Sequence, residues 1–384
     1  MKTPENYSGF EIGPIRPPSE AASLLVRVTR NCPWNNCKFC GLYKGANFSM
    51  RSKADVLHDL DLVKMCIDVF RSIEGQSDTH KKAALTQLKS DLGRDNIWAY
   101  SVSTSWYRNG MKSVFLQDAN SMIVKPQDMV DILLRIRELF GNIERITSYA
   151  RSHTIARISD EDLLDLAEAG LNRIHIGMET ASDTVLKLVN KGVDKQTHII
   201  AGQKVKKAGI QLSEYFMPGL GGLEYSEENA LETADAINQI NPDYVRIRTL
   251  AVTPRSELFE DYEQGLFTRT NDIKMVEELH KMISHLNGVT TYIKSDHILN
   301  LIQEMEGQLP QDKDKILKAL QWYLDLSVKE QNIYRIGRRT GLMQFQEDLH
   351  DHSRRQAVLD AIKENNISGH NIDSVVDDLM NQFI

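Results

Sequence analysis

The sequence has no hydrophobic run long enough to cross a membrane and no long run of basic residues. No segment approaches the ~20 apolar residues of a transmembrane helix, and the N-terminus MKTPENYSGFEIGPIRPPSE lacks the apolar core of a signal peptide. Lys and Arg total 46 and Asp and Glu total 53, so the formal net charge is −7 and nothing indicates a nucleic-acid interface. We therefore expect a cytoplasmic protein with neither a membrane nor a nucleic acid as its partner.

Cysteine is scarce as well, because the 384 residues include only four. Three of them, Cys32, Cys37 and Cys40, lie within nine positions and follow an apolar stretch. In a reducing compartment, clustered thiols are better explained by metal or redox chemistry than by disulfides. A structural zinc ion takes four protein ligands, whereas a catalytic centre keeps one position open. Three cysteines therefore predict a metal or iron–sulfur centre with one open position.

From residue 24 onward, short apolar runs alternate with amphipathic segments. Six such strand-plus-helix units begin at LLVRV, SVFLQ, RITSY, RIHIGM, QLSEYF and YVRIRTL. Strands that alternate with helices pair in parallel, and crossovers of one hand curl the sheet towards a barrel. The pattern predicts an α/β fold, a partial (β/α)6 TIM-like barrel over residues 22–255. The proline-rich residues 1–21 are predicted to form an extended lead-in.

Two regions depart from this alternation. Residues 72–112, which follow the first strand–helix unit, are predicted to form a helical insertion. After residue 255 the strand signal mostly stops, and segments such as IKMVEELHKMISHL and KILKALQWYLDLS have helical spacing. Residues 256–384 are therefore predicted to form a helical C-terminal region.

Polar residues follow the predicted strands, and in parallel barrels the active site lies at these carboxyl ends. Alternation places Arg246 and Arg248 on the inner face of the sixth barrel strand. The same test places Arg173 and Glu179 on the inner face of the fourth. We expect the inner arginines to be balanced by Glu179 and Asp118, since buried charges need partners.

These features together resemble the radical S-adenosylmethionine (SAM) enzymes. The strongest element is the cysteine triplet, which has the aromatic Phe39 just before its last cysteine. Residues 117–120 (QDAN) are similar to the segment whose backbone receives the amino group of SAM. Residues 177–179 (GME) are similar to the motif whose acidic residue binds the ribose, and residues 217–222 (MPGLGG) to the glycine-containing turn after strand five.

Within that superfamily, the sequences of the strand segments are most similar to the oxygen-independent coproporphyrinogen oxidases. They are also similar to the tRNA-modifying and nitrogenase-cofactor relatives that share the core of those oxidases. The cysteine spacing differs from the usual CxxxCxxC, because this chain has CxxxxCxxC. No cysteine precedes Cys32 and none follows Cys66, which argues against relatives with auxiliary clusters, C-terminal catalytic cysteines or the methylthiotransferase arrangement. No cobalamin-binding domain is expected before the barrel.

The resemblance implies one [4Fe–4S] cluster held by Cys32, Cys37 and Cys40. Its open iron would bind SAM, and an electron from reduced flavodoxin or ferredoxin would generate a 5′-deoxyadenosyl radical that abstracts hydrogen from an unidentified substrate. Arginines at the strand ends are candidates for holding a carboxylate of methionine or of the substrate. The residues expected to contact SAM are Phe39, Asp118, Ala119, Asn120, Ser148, Arg151, Glu179, Met217, Arg248 and Leu250.

Several other interpretations remain open from the residues alone. One is a tetrapyrrole oxidative decarboxylase, and another is a non-catalytic zinc- or cluster-binding protein, whose zinc site Cys66 or a histidine would complete. A separate alternative for Glu179 is an ion pair with Arg173 inside the barrel. Residues 295–297 (SDH) are interpreted as a helix N-cap. The arginines in the segment RIGRR are interpreted as a solvent-exposed face.

Overall fold

Apolar residues at alternate positions form short strands, and apolar residues at helical spacing form the helices between them. The protein is described by a computed structural model, which covers Glu5 and residues 7–383. The strands are β1 (Leu24–Arg27), β2 (Thr29–Arg30), β3 (Ser49–Met50), β4 (Ser113–Gln117), β5 (Arg145–Ala150), β6 (Arg173–Glu179), β7 (Gln211–Phe216), β8 (Tyr244–Ile247), β9 (Tyr292–Lys294) and β10 (Gly307–Gln308).

The α-helices occupy the segments between and after these strands. They are α1 (Lys53–Ser72), α2 (Asp78–Leu92), α3 (Ile97–Arg108), α4 (Pro126–Leu139), α5 (Ser152–Ile155), α6 (Asp160–Glu168), α7 (Asp183–Leu188), α8 (Lys195–Lys207), α9 (Ser226–Ile240), α10 (Glu257–Glu263), α11 (Asp272–Ser284), α12 (Lys313–Leu324), α13 (Val328–Arg339), α14 (His352–Glu364) and α15 (Ile372–Asn381).

The element order confirms the predicted α/β class, with the six strand–helix units of a partial (β/α)6 barrel. Helices α2 and α3 form the helical insertion, and α10 to α15 make the C-terminal region mainly helical. The short strands β9 and β10 were missed, because two or three residues are too few for an alternating pattern. Across the described residues, no helix is both long enough and apolar enough to cross a membrane.

The chain divides into two compact units. The first consists of the described parts of residues 1–33, 45–176 and 204–211. In it, β1, β4, β5 and residues 173–176 of β6 follow one another in parallel, with Val26 opposite Leu116 and Leu116 opposite Ser148. Helix α1 packs against α3 and α4. Val26 and Leu116, which are opposite each other in this sheet, are both buried, as expected for strands covered by helices.

The N-terminal lead-in makes contacts within the first unit that its composition did not indicate. The Tyr7 hydroxyl donates to the buried carboxylate of Asp59. Further along, the Gly13 N–H donates to Gln117 Oε1 at 2.9 Å. Glu11 Oε2 accepts from Arg30 Nε at 2.8 Å. The lead-in is therefore tied by polar side chains to the end of β4, where a predicted SAM-binding segment begins.

The second unit comprises residues 34–44, 177–203 and the described residues from 212 onward. Strands β7, β8 and β9 pair in parallel, and β10 pairs antiparallel to β9. The apolar face of β7 and β8, with Phe216 and Val245, packs against α9 and α11. The same core continues into α12 and α13 through Leu320 and Tyr334. The C-terminal helices thus share one core with the strands of their unit.

The arginine segment of α13 is not a solvent-exposed face, and this interpretation was wrong. Arg335 and Arg339 are both buried, and each contacts Asp272 in the first turn of α11. Burial would raise the pKa of Asp272, but the charges of Arg339 and Arg335 outweigh it and lower that pKa. The sequence could not reveal this because the partner carboxylate lies more than 60 positions away.

Candidate functional site

The loop that carries Cys37 and Cys40 belongs to the second unit and is held there by backbone hydrogen bonds. The Lys38 N–H, between the two cysteines, donates to the Val189 carbonyl at 2.9 Å, and the Lys38 carbonyl accepts from Leu258 N–H at 2.9 Å. The Cys40 N–H donates to the Cys37 carbonyl at 3.3 Å, which closes a tight turn. These bonds give the two thiols a defined backbone.

The indole side chain of Trp34 provides a second attachment of the same loop. Trp34 Nε1 donates to the Asn190 carbonyl at 2.8 Å, in the turn that follows α7. At the next-but-one position, Gly192 has φ +70°, and a Cβ there would lie 2.3 Å from Trp34 Cζ2. Only glycine therefore allows the indole to approach this turn.

Phe39 packs with other predicted SAM contacts of the second unit. Its ring lies against the cluster that contains Met217 and Leu250. Lys191 Nζ lies 5.4 Å from the centroid of the Phe39 ring and 3.6 Å from Glu179 Oε1. Lys191 was missed by the sequence reasoning. Its only signal was the Asn-Lys-Gly turn after α7, and a turn pattern does not say which carboxylate a lysine reaches.

Glu179 ends β6 with φ +66°, an unusual conformation for a glutamate. Its carbonyl accepts the Met217 N–H at 2.8 Å, so the two predicted contacts are joined directly. The buried carboxyl of Glu214 lies in the same unit, and its pKa is raised well above the usual value by burial and then by the charge of Glu179. Among the described residues, the surroundings of Glu179 therefore include the carboxyl group of Glu214 and the ammonium group of Lys191.

The turn after β7 is braced by a carboxyl group from α11. Glu278 Oε1 accepts the Gly219 N–H at 3.1 Å and Asn229 Nδ2 at 2.6 Å, while Oε2 accepts the Ser226 hydroxyl at 2.6 Å. Burial raises the pKa of Glu278 to about 7, because three neutral donors only partly replace water. The Leu250 N–H donates to the Pro218 carbonyl at 3.2 Å, which fixes the end of β8 to this turn.

The inner arginines of β8 have partners different from those expected. Arg246 donates to Asp296 and, at 3.2 Å, to the Ser213 hydroxyl. Asp296 and its neighbours form a loop between β9 and β10, so their interpretation as a helix N-cap was wrong. The guanidinium carbon of Arg248 lies 4.8 Å from the centroid of the Tyr215 ring. A loop distant in sequence supplies the counter-charge, which strand alternation alone does not indicate.

The first unit carries the predicted contacts that follow β4 and β5. Asp118 is fully buried with φ +77°, and its Oδ2 accepts from Arg27 Nε at 2.7 Å. Asn120 Oδ1 accepts the Arg151 N–H at 3.1 Å, and Asn120 Nδ2 donates to Thr154 Oγ1 at 2.8 Å. The two strand ends are thereby joined. Asp118 is balanced by an arginine of β1, whereas the sequence analysis expected arginines from β6 and β8.

Each predicted site residue can be placed in its own unit. The first unit contains Cys32, Asp118, Ala119, Asn120, Ser148 and Arg151, and the second contains Cys37, Phe39, Cys40, Glu179, Met217, Arg248 and Leu250. In the described chain, four of the eight non-glycine residues with positive φ fall in these segments, namely Asn31, Asn35, Asp118 and Glu179. Strained backbone of this kind persists where the surroundings enforce it and is common at functional sites.

The three clustered cysteines offer the thiol ligands that an iron–sulfur cluster uses. All four cysteines of the sequence lie in the described chain, and none of them forms a disulfide. The triplet is partly exposed, whereas Cys66 is buried in α1, where burial raises its pKa to about 11. Among the residues that the structure describes, no three His, Cys, Asp or Glu side chains are arranged to hold a single metal ion. In an iron–sulfur cluster, each thiolate binds a different iron.

Comparison with known proteins identifies the class. Residues 26–234 match the model of the Radical SAM superfamily, which is more than half of the chain. The protein belongs to that superfamily, and the prediction of a radical SAM family member is confirmed at this level, with the subfamily unassigned.

Individual relatives are distant. A tRNA uridine(34) acetyltransferase of Methanocaldococcus infernus is 25% identical over 132 residues, which cover 34% of this chain and 24% of that protein. The chain thus spans about a quarter of this curated relative. The structure of Elp3 from the same organism is 19% identical and covers 48% of each chain, with a TM-score of 0.39. Coproporphyrinogen III oxidase of Escherichia coli is 15% identical, covering 73% of this chain and 59% of that one, with a TM-score of 0.42.

Proposed function

We propose that this protein binds one [4Fe–4S] cluster through Cys32, Cys37 and Cys40 and cleaves SAM reductively. The observation that carries the proposal is the superfamily match, which includes all three cysteines. The anchored backbone around Cys37 and Cys40 and the thiol state of the triplet support it. When bound, such a cluster supplies one electron that splits SAM into methionine and a 5′-deoxyadenosyl radical, which then removes hydrogen from a substrate.

The chain's own residues would bind and orient the cofactor. The Glu179 carboxylate would accept ribose hydroxyls, and Lys191 beside it offsets its negative charge. Phe39 with its apolar neighbours would exclude water. In the first unit, the backbone at residues 118–120 would receive the amino group. Ser148 and Arg151 are proposed as further contacts, as are Arg248 and the residues near the turn after β7.

The wider setting is also a proposal. Reduced flavodoxin or ferredoxin would deliver the electron in the cytoplasm, and the substrate is unidentified. We place the radical SAM barrel at residues 22–255 and the helical region at 256–384. The catalytic step beyond hydrogen abstraction is not assigned, because one fold serves many chemistries.

The proposal is tested by reconstituting the protein anaerobically with iron and sulfide and adding dithionite and SAM. We expect 5′-deoxyadenosine and methionine as products, and we expect Cys37→Ala to form neither. A preparation that contains iron and sulfide but makes no 5′-deoxyadenosine would contradict the proposed reaction. One zinc per chain and no iron in anaerobically purified protein would instead support the zinc-binding alternative.

A further inference from the structure

The side chain of Glu11, in the lead-in, binds arginines of the first unit. Arg30 Nε donates to Glu11 Oε2 at 2.8 Å, and Arg27 Nη1 donates to the same oxygen at 3.3 Å. Arg51 Nε lies 3.2 Å from Glu11 Oε1. Burial would raise the pKa of Glu11, but the three arginines outweigh it and lower that pKa, so the carboxylate is charged at pH 7. Glu11 thus holds three guanidinium groups together.

Arg27 connects Glu11 to Asp118, the residue that follows β4. Arg27 Nε donates to Asp118 Oδ2 at 2.7 Å, while Arg27 Nη1 reaches Glu11. One guanidinium therefore bridges a carboxylate of the lead-in and a fully buried carboxylate at a strand end. Because a guanidinium is planar and rigid, a partner on one of its nitrogens fixes the direction of the others.

The backbone of Asp118 depends on the bond that Arg27 makes. Its φ of +77° belongs to the left-handed region, which is costly for most L-residues and which aspartate adopts more readily when its side chain is hydrogen-bonded. Residues in such conformations persist where their surroundings enforce them. A shift of Arg27 would therefore change the direction of the backbone groups at residues 118–120.

The lead-in is anchored on both sides of Glu11. Before it, the Phe10 N–H donates to the Asp95 carbonyl at 3.1 Å. After it, the Gly13 N–H donates to Gln117 Oε1 at 2.9 Å. All of these residues belong to the first unit. A side chain between two such anchors is presented in one position, as a group that orients another group requires.

We propose that Glu11 is a positioning residue for SAM, because through Arg27 it holds Asp118 so that the backbone at residues 118–120 can receive the amino group. The inference rests on the proposed function, since it concerns the same segment. Glu11 acts through Arg27 and Asp118 and not by contact with SAM. The lead-in thereby takes part in cofactor binding.

The test measures binding of SAM to anaerobically reconstituted protein by equilibrium dialysis, with 5′-methylthioadenosine as a second probe. That compound has the adenosine and the sulfur of SAM but lacks its amino and carboxylate groups. We expect Glu11→Gln to weaken SAM binding about ten-fold, a loss usual when a residue that orients a ligand-binding group is removed. Binding of 5′-methylthioadenosine should be unchanged, which also shows that the variant is folded. Glu144→Gln removes an exposed ion pair with Lys112 in the same unit and, as the matched control, should bind both probes like the wild type.

Further variants separate positioning from a general effect on the unit. Arg27→Gln should weaken SAM binding to a similar extent as Glu11→Gln. The double variant should lose little more than either single variant, because residues in one chain of contacts do not act independently. Glu11→Asp keeps the charge and should retain part of the affinity for SAM.

Three results would overturn the role of Glu11: equal SAM affinity in the wild type and Glu11→Gln, equal losses for the two probes, or additive losses in the double variant. Formation of 5′-deoxyadenosine by the wild type is measured separately. A wild type that binds SAM but forms no product would contradict the proposed reaction and leave the role of Glu11 to be decided by the affinities. A wild type that does not bind SAM would overturn both.

Discussion

Glu278 is a residue whose ionisation state should affect the stability of the second unit. Its pKa in the folded protein is about 7, above the usual 4.5, because the carboxyl group is buried. A raised pKa favours the folded state while the group is protonated, and this stabilisation is lost as pH rises through the folded pKa. We therefore expect the contribution of Glu278 to the free energy of unfolding to decrease from about pH 4.5 to pH 7 by about 3 kcal/mol.

Urea unfolding of the wild type and Glu278→Gln at a series of pH values measures this contribution. Glutamine has the same shape, accepts the bonds from Gly219 and Asn229, and can donate to Ser226. The difference between the two proteins should therefore change across this pH range. Glu277→Gln, an exposed neighbour on α11, serves as the control and should follow the wild type. Parallel pH curves for the wild type and Glu278→Gln would contradict the assignment.

At the scale of residues, the sequence predicted positions better than partners. Asp118, Glu179 and Arg248 were placed at strand ends, because alternation and strand length are local properties. The partner of Asp118, Arg27, and the partner of Glu179, Lys191, could not be predicted in the same way. Which two charges meet depends on how separate segments pack, and several residues of suitable charge lie on the inner faces.

The cysteine loop and the turn after α7 behave as one structural element through Trp34. Gly192→Ala places a Cβ 2.3 Å from Trp34 Cζ2 at a residue with φ +70°, so the indole must move. We expect a loss of about 1–3 kcal/mol in the free energy of unfolding, from overpacking and backbone strain together. We also expect faster loss of iron to a chelator from the reconstituted protein, since the loop carries two of the proposed ligands.

Gly209→Ala separates the two causes. Gly209 has φ +75°, close to that of Gly192, but a Cβ there would have no neighbour within 4 Å. It should therefore lose only the part due to backbone strain, about 1 kcal/mol, and retain iron like the wild type. Equal iron loss in both variants would show that the indole contact does not hold the loop.

Elements were predicted well where they are long and periodic. The six strand–helix units and the helical insertion were found, because each has several turns or alternations of apolar residues. The β9–β10 loop was misread because Ser and Asp precede helices and also occur in loops. In the structure this segment is a loop, and Asp296 contacts Arg246, about 50 positions away in the sequence. A contact between such distant residues cannot be predicted from the local pattern.

At the scale of the whole molecule, the four cysteines divide into three proposed ligands and one core residue. The family and the order of strands and helices were predictable, since both depend on local motifs and on the order of those motifs along the chain. The division of the chain into two units was not, because segments distant in sequence contribute to each. Cys66 is the residue on which the zinc and cluster interpretations differ most, since a zinc site needs a fourth protein ligand.

Cys66→Ala should therefore leave the iron content of anaerobically reconstituted protein at about four irons per chain, the complement of one cluster. It should lower the free energy of unfolding by about 1 kcal/mol, because a buried thiol is removed from the packed face of α1. Cys37→Ala should do the reverse, losing most of the iron while the cluster-free protein keeps its stability, because Cys37 is partly exposed. Iron and sulfide analysis with urea unfolding measures both quantities. If Cys66→Ala lost as much metal as Cys37→Ala, the fourth cysteine would be a ligand and the centre would have no open position for SAM.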